Sequence, residues 1–446
     1  MREVKDSGVE WLEKIPTDWN IIRMTKWFKF FKGLDIKKTD LVQYGSAVIS
    51  YGQVHDKLNN GYSFQKNLIR YINQSMLETK EKSRLSNGDF VFADTSEDLD
   101  GVGNCIYIDS DSELYAGYHT LVARCIEPDV CHKYLAFLFL TEAWRSQLRR
   151  NANGTKVYSV TQRMFKFVSC LLPPIDIQLK IVGYLELKCN DIDTIIAKEQ
   201  SVIEKLQEYK ESIINEAVTK GVDIQVKFKP SGYDFIGDIP KSWKLLKVRY
   251  LGLLQNGISK SGNYFGHGMP FISYKDVNSS FVIPNQLDGL IESTKEEQEK
   301  YSVQSGDIFF TRTSETIDEI GISSVCKKTI LYATFSGFLI RLRLINNIVS
   351  PDWAKYYFRS NHLRAYFVKE MNLVTRASLS QELLKSLPVL IPSQEEQNKI
   401  IKYLDEKCNT IDSIIIKKQA LIDKLIEYKK SLIYEVVTGK KEVPHV

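Results

Sequence analysis

Hydrophobic side chains in two stretches of the chain recur at alternating spacings of three and four residues. One charged residue interrupts each stretch, Glu199 in the first and Lys418 in the second. A period of 3.5 residues keeps one face of a helix turned towards a partner helix, as in a coiled coil. The predicted seam residues are Ile192, Ile195, Val202, Leu206, Tyr209 and Ile213 in the first stretch, and Ile411, Ile414, Leu421, Leu425, Tyr428 and Leu432 in the second.

The two helical stretches are copies of one another. Residues 172–219 align without a gap on residues 391–438, with 26 identities in 48 positions. Pro173-Pro174 and Pro392 lie just before the helical stretches, and Gly221 and Gly439 follow them, as is typical of helix starts and ends. Residues 191–219 alone would form about 42 Å of helix at 1.5 Å per residue. We expect the two helices to pair antiparallel as a spacer; the alternative is two independent helical hairpins.

Each half of the chain also opens with a repeated segment. The segment Ser7–Trp19 returns as Ser231–Trp243, with Ser-Gly at its start and Ile-Pro-x-x-Trp at its end. Gly88-Asp-Phe-Val-Phe92 likewise returns as Gly306-Asp-Ile-Phe-Phe310. The chain therefore contains two related modules, each followed by the same helical segment.

The modules have mixed secondary structure. β-rich runs with partial alternation predict strands, and residues 134–148 and 353–369 are typical of helices. The predicted fold class is α+β, with two modules in tandem duplication separated by two long helices that pair as an antiparallel coiled coil. The predicted boundaries are 1–171 for module 1, 172–221 for the first helical spacer, 222–390 for module 2 and 391–440 for the second spacer.

The composition is that of an ordinary folded protein, with 446 residues, 43% hydrophobic and 26% charged. None of the seven cysteines forms a Cys-x-x-Cys pair, so a disulfide framework or a zinc site is not expected. No apolar run reaches the 18 or more residues of a membrane helix, and no secretion signal opens the chain. We expect a cytoplasmic protein.

The motifs of the common enzyme classes are missing from the sequence. There is no Gly-x-x-x-x-Gly-Lys-Ser/Thr loop, no Gly-x-Gly-x-x-Gly after a strand, no Asp/Asn-Pro-Pro-Tyr/Phe, no His-Glu-x-x-His and no Gly-x-Ser-x-Gly. We therefore predict no catalytic residue, no metal ligand and no cofactor on this chain.

The positive charge lies outside the helices. The helical segments 175–220 and 394–439 together carry a net charge of −3, whereas the rest of the chain carries +8. Neutralisation of phosphates supplies the sequence-independent part of DNA affinity, so the modules are the candidate DNA-binding regions. An excess of this size over about 350 residues is also compatible with no nucleic acid at all.

Turn-rich segments at aligned positions have the composition of a base-reading surface. Arginine and lysine can bind guanine edges, glutamine and asparagine adenine edges, and hydroxyls can position phosphates. At matching positions the framework is kept while the chemistry changes, as with Asp94 and Arg312; two loops that diverged without a function would look similar. The candidate DNA-binding residues are Tyr51, Gln53, Asp94, Thr95, Ser96, Lys156 and Tyr158 in module 1, and Tyr274, Lys275, Arg312, Thr313, Ser314, Arg376 and Ser378 in module 2.

The order of these features resembles the specificity (S) subunits of type I restriction–modification systems. The resemblance spans essentially the whole chain: the two module openings, then Leu172-Pro-Pro-Ile-Asp-Ile-Gln178 and Ile391-Pro-Ser-Gln-Glu-Glu-Gln397, each leading into the repeated helix. It implies two target-recognition domains held apart by an antiparallel coiled coil. Each domain would read one half of a split, asymmetric DNA site, and the coiled coil would set the unread gap.

The resemblance also implies partners. The subunit itself would have no catalytic activity and would dock two methyltransferase (M) subunits, which use S-adenosylmethionine to methylate adenine N6. Two restriction (R) subunits would add an ATP- and Mg-dependent nuclease and translocase. Three alternatives remain at this point: a duplicated scaffold without DNA specificity, an enzyme with an unrecognised active site, and an S subunit that serves methylation only.

Overall fold

The computed structural model describes residues 3–77, 81–152, 154, 156–223, 225–314, 319–363, 366–367 and 377–444. The chain divides into two compact units. Unit 1 comprises Met1–Glu199 and Ala420–Val446, and unit 2 comprises Gln200–Gln419. Each unit therefore contains one module and a part of each repeated helical segment.

Module 1 is built on two four-stranded sheets. The strands are β1 Val4–Val9, β2 Leu12–Pro16, β3 Asn20–Arg23, β4 Phe28–Lys32, β5 Leu41–Val42, β6 Ser46–Ile49, β7 Arg70–Ile72, β8 Phe90–Ala93, β9 Thr95–Ser96, β10 Cys105–Tyr107, β11 Tyr115–Ala116, β12 Thr120–Cys125, β13 Tyr158–Ser159 and β14 Ser169–Leu172. One sheet has the antiparallel order β10-β8-β12-β4, and the other has the order β11-β6-β7-β5. The α-helices of the module are α1 Tyr51–Val54, α2 His132–Phe139 and α3 Glu142–Arg149.

Module 2 repeats this topology. The strands are β15 Phe228–Pro230, β16 Asp238–Pro240, β17 Lys244–Lys247, β18 Gly252–Asn256, β19 Phe265–Ile272, β20 Leu290–Ile291, β21 Ile308–Thr311, β22 Thr313–Ser314, β23 Ser323–Val325, β24 Thr334–Phe335, β25 Leu339–Leu344, β26 Ala377–Ser378 and β27 Pro388–Ile391. The main sheet has the order β18-β25-β21-β23, which matches β4-β12-β8-β10 of module 1, and a second sheet has the order β20-β19-β24. The α-helices are α5 Tyr274–Ser279, α6 Lys295–Lys300, α7 Pro351–Tyr357 and α8 Gln381–Ser386. The duplicated α+β fold is confirmed.

The repeated Gly-Asp segments form the central strands of the main sheets. In β8 every residue is buried, because Phe90 and Phe92 face one hydrophobic core while Val91 and Ala93 face the other. Side chains alternate across a strand, so a run buried on both faces must lie between two packed layers. In module 2, Ile308 and Phe310 face one core and Phe309 the other. This sandwiched strand fixes the turn that follows it.

The helical region predicted at 134–148 is interrupted. α2 ends at Phe139 and α3 begins at Glu142, where the Thr141 hydroxyl accepts a hydrogen bond from the Trp144 amide at 3.2 Å. Threonine at this position satisfies an amide that has no partner within the helix, and so it starts a new helix. A hydrophobic run alone does not reveal such a break.

The repeated segments form two long helices, α4 Ile175–Lys220 with 46 residues and α9 Gln394–Val437 with 44. At 1.5 Å per residue, α4 is about 69 Å long, because it begins well before Asp191. Gly221 and Gly439 follow the helices with φ values of +80° and +74°, as expected for C-terminal caps.

The two helices run antiparallel within each unit. In unit 1, Lys429 of α9 pairs with Asp193 of α4, and in unit 2, Lys210 of α4 pairs with Asp412 of α9. In unit 1 the Tyr134 hydroxyl also contacts the carbonyl oxygens of Leu171, just before α4, and Val437, the last residue of α9, so the start of α4 lies beside the end of α9. In unit 2 Gly221, just after α4, lies beside Glu396 near the start of α9. The predicted antiparallel pairing is confirmed.

The predicted seam is wrong at six of its twelve positions. Those six side chains are 38–52% exposed: Ile195, Val202, Tyr209, Ile414, Leu421 and Tyr428. The other six are buried or packed against a core: Ile192, Leu206, Ile213, Ile411, Leu425 and Leu432. The observed seam runs instead through Ile196 and Ile203 in α4 and through Ile415 and Ile422 in α9.

The error has a physical cause in the sequence. Apolar residues are adjacent at several places, as at Ile195 and Ile196, so two neighbouring stripes have similar hydrophobicity. The stripe that is buried passes through Lys210 and Lys429, which a search for apolar positions avoids. The exposed stripe is therefore left available to other molecules.

Candidate nucleic-acid interface

Asp94 and Arg312 occupy the same backbone position in the two modules. Each follows the buried central strand of its main sheet. The Asp94 amide donates to the His119 carbonyl oxygen at 3.1 Å, and the Arg312 amide donates to the Phe338 carbonyl oxygen at 2.8 Å. Because the backbone partners are equivalent, the two modules place opposite charges at one point of a shared framework.

In module 1 an acidic and aromatic group surrounds this turn. Asp94 Oδ1 lies 3.2 Å from His119 Nδ1, and both side chains are exposed. The ring of Tyr51 lies edge-on to His119 and to Tyr118, with centroid distances of 5.7 and 5.6 Å. His119 has a φ of +52°, an uncommon conformation for a residue with a side chain. The group offers a carboxylate acceptor, an imidazole and two phenol hydroxyls.

In module 2 the same surface carries a cation. Arg312 is half-buried, and beside it the Phe338 ring is 62% exposed. The hydroxyls of Tyr274 and Ser314 both donate to the carboxylate of Glu319, at 3.2 and 2.5 Å. Burial raises the pKa of Tyr274, and Glu319 also acts in this direction, so the phenol keeps its proton. The surface thus presents a guanidinium, an exposed aromatic ring and an ordered set of hydroxyls.

Two predicted DNA-binding residues have structural roles instead. Gln53 is buried, and its Oε1 accepts a hydrogen bond from the Ser50 amide at 3.1 Å, which caps α1. In α5 the aligned residue Asp276 has the same role, since its Oδ2 accepts a hydrogen bond from the Ser273 amide. Ser96 is also buried and donates to a backbone carbonyl two residues further on. The prediction that Gln53 and Ser96 read DNA is therefore corrected.

The remaining candidates lie on or beside these two surfaces. β13 pairs with β9, and β26 pairs with β22, so the late segment of each module lies next to its turn. Lys156, Lys275 and Ser378 are exposed, and Thr95, Tyr158, Thr313 and Ser314 are half-buried. Arg376 lies outside the described residues and stays a prediction from the sequence.

Four residues of the two surfaces were not predicted from the sequence: His119, Tyr118, Glu319 and Phe338. His119 and Phe338 directly precede the equivalent strands β12 and β25, so aligning these strands would have found both. Among the described residues, no group of three or more His, Cys, Asp or Glu side chains could hold a metal ion. No helix in the described part of the chain is long and apolar enough to cross a membrane.

The family model for the type I restriction modification DNA specificity domain matches residues 16–205 and 243–424. The two matches include most of each module and most of both long helices. The chain belongs to this family. Members are the specificity subunits of type I restriction enzymes, which are non-catalytic and work with modification and restriction subunits.

Individual relatives agree with this assignment over most of their length. The EcoKI specificity subunit of Escherichia coli K12 is 23% identical over 410 residues, which cover 90% of this chain and 84% of that protein. The MjaVIII specificity subunit of Methanocaldococcus jannaschii is 21% identical, with 90% and 88% covered. A solved chain from a type I R-M system has the same fold, with a TM-score of 0.69, 15% identity, and 96% and 99% of the two chains covered.

Proposed function

We propose that this specificity subunit reads a split, asymmetric DNA site, with module 1 (residues 1–171) on one half and module 2 (residues 222–390) on the other. The placement of Asp94 and Arg312 at one framework position carries the proposal. Two modules that share a backbone fold but carry opposite charges at the turn after the central strand would bind different base sequences. The whole site is then asymmetric although the protein is duplicated.

The chemistry of the two surfaces favours different bases. Arginine binds O6 and N7 of guanine with two parallel hydrogen bonds in the major groove, so Arg312 favours a guanine. A carboxylate such as Asp94 can only accept, and the cytosine N4 amino group is the donor that it fits best. A carboxylate would also repel phosphates, which is why a base edge is the better partner for Asp94.

The exposed lysines are candidate phosphate contacts. We expect Lys156→Ala and Lys275→Ala each to weaken binding of the assembled complex to duplex DNA evenly across sequences. The plot of log K against log salt concentration should become shallower, its slope smaller in magnitude by about 1 for each variant, because one fewer counterion is released. Titrations by fluorescence anisotropy at several salt concentrations measure this.

Lys205→Ala is the control for these titrations, since Lys205 is exposed on α4 rather than on a module. Its salt slope should equal that of the unchanged protein. A scaffold without DNA specificity would show no salt-dependent binding at all, which would contradict the proposal.

The exposed apolar stripe on the two long helices is a candidate binding surface for partner subunits. In unit 1 it comprises Ile195, Leu421 and Tyr428, and in unit 2 it comprises Ile414, Val202 and Tyr209. Because the stripe is present twice, we propose two M subunits per chain. Two R subunits would then join to make the nuclease, with S-adenosylmethionine, ATP and Mg bound by the partners, in the cytoplasm.

Introducing a negative charge into one copy of the exposed stripe should prevent binding of one M subunit. We expect Tyr209→Glu or Tyr428→Glu to leave a complex with one M subunit, and the double variant to retain none, because a buried unpaired carboxylate strongly disfavours association. Native mass spectrometry of the co-expressed complex counts the subunits. Glu204→Lys, on the opposite side of α4, should keep both; retention of two M subunits by the double variant would contradict the assignment.

A further inference from the structure

Lys429 links three elements of unit 1. Its Nζ donates to both carboxylate oxygens of Asp193, at 2.8 and 2.7 Å, and lies 5.0 Å from the ring centroid of Tyr62. The Tyr62 hydroxyl donates to Asp193 at 2.9 Å, and the Tyr62 ring stacks on Phe137 at 4.7 Å. Burial, and after it the charge of Asp193, raises the pKa of Tyr62 far above its usual value, so the hydroxyl remains a donor. Lys429 thus joins α9 to α4 and both helices to module 1.

Lys210 forms the equivalent group in unit 2. Its Nζ donates to the Asp412 carboxylate at 2.6 and 2.7 Å and lies 5.6 Å from the ring centroid of Phe281. Arg359 lies on the same ring at 4.7 Å, and Tyr356 contacts it at 5.8 Å. The set Asp193, Lys429 and Tyr62 is called clamp 1 below, and the set Asp412, Lys210 and Phe281 is called clamp 2.

The residues of the two clamps occupy equivalent positions of the internal repeat. Each aspartate, lysine and aromatic residue of one clamp lies 219 positions from its counterpart in the other. Both aromatic residues lie in the loop that follows a short capped helix, α1 in module 1 and α5 in module 2. Each of those helices begins at a tyrosine of the candidate reading surface, Tyr51 or Tyr274. One short segment therefore connects each clamp to the surface that faces DNA in the proposed function.

A charged residue in an apolar seam has a specific effect on helix pairing. An aliphatic residue there would stabilise the helix pair in several registers. Lys429 and Lys210 are only 16% and 20% exposed at the edge of the seam, and each loses water that its aspartate, 41% or 47% exposed, replaces in only one register. The cation above the aromatic ring adds an attraction that also depends on position. Each clamp consequently favours one register of the two helices and one position of its module on them.

We propose that the two clamps position the modules for DNA recognition and so set the number of unread base pairs between the half-sites. Their residues are positioning residues, because they act through the helices and the module loops rather than by touching DNA. The inference rests on the proposed function, since it presumes that the two modules read separate half-sites.

Charge reversal within clamp 1 tests the proposal. Asp193→Lys places two ammonium groups together, and adding Lys429→Asp restores an ion pair of reversed direction. The control double variant combines Asp193→Lys with Lys210→Asp, which belongs to clamp 2 and cannot restore the pair. Each is assembled with its M subunits and offered a plasmid library in which both half-sites are kept and the gap varies by up to two base pairs.

We expect Asp193→Lys to redistribute methylation among gap lengths. Methylation at gaps one base pair longer or shorter should rise about tenfold over the unchanged protein, as for loss of a coupled charged pair, while the half-site sequences stay the same. Lys429→Asp should restore the native gap, and the control double variant should not. Tyr62→Phe, which reproduces the residue of clamp 2, should keep the native gap, and Tyr62→Ala should relax it.

Each negative outcome of the gap-library experiment contradicts a different part of the account. A uniform drop at all gap lengths, with no redistribution in either Asp193→Lys or Tyr62→Ala, would show that clamp 1 contributes only stability and would overturn the positioning role. If Asp193→Lys does not fold, Tyr62→Ala decides alone, because it leaves the ion pair in place. If the unchanged complex methylates no bipartite sequence, the proposed function fails instead.

Discussion

Replacing Arg312 by alanine should relax one half-site of the target and leave the other readable. The guanidinium is the cation of the module 2 surface at the position where module 1 has Asp94. Loss of a bidentate contact with guanine should cost about 1–3 kcal/mol, which is roughly 5- to 150-fold in discrimination at one base pair. Sequencing of methylated plasmid libraries, randomised at each half-site in turn, measures this directly.

Two variants make the test specific. Arg312→Lys keeps the charge but loses the planar fork, so it should relax the same base pair. Asp94→Ala is the matched change in module 1 and should alter only the other half-site. Equal damage to both half-sites by either alanine variant would contradict the assignment of one half-site to each module.

Removing one heptad from both long helices should shorten the unread gap. We expect deletion of residues 198–204 together with 417–423 to bring the half-sites about 10.5 Å closer, or roughly three base pairs at 3.4 Å each. The seam phase is preserved because seven residues are two turns of a coiled coil. Both half-site sequences should be unchanged, and methylome sequencing reports the new gap.

Deleting two residues from each helix is the control, since a rotation of about 200° turns the apolar face of each helix away from its partner. That variant should lose methylation instead of shifting the gap. If the whole-heptad deletion changes the half-site sequences and leaves the gap as it was, the spacer role of α4 and α9 is wrong.

The duplication could be predicted because the repeated segments kept their identities. Asp193 and Asp412, like Lys210 and Lys429, are identical in the two copies, and each copy needs the polar partner supplied by the other helix. The exact seam could not be predicted, since hydrophobicity alone does not distinguish two adjacent apolar stripes. Only tertiary packing decides which stripe is buried.

The candidate surface was predicted in part, for a different reason. Asp94 and Arg312 follow recognisable repeated strands, so alignment placed both at the turn. Gln53 was misassigned because a capping glutamine and a base-reading glutamine have the same composition signal. Phe338 and His119 reach the turn through pairing of strands far apart in the sequence, so only an alignment of β12 with β25 would have indicated their positions.

The most direct test of the account is the adenine-methylation map of a host that carries a functional partner methyltransferase, with and without this gene, by long-read sequencing. We predict that deletion removes methylation from one bipartite, asymmetric motif and that re-expression restores it. A methylation map that is identical with and without the gene would contradict the assignment of DNA specificity to this chain.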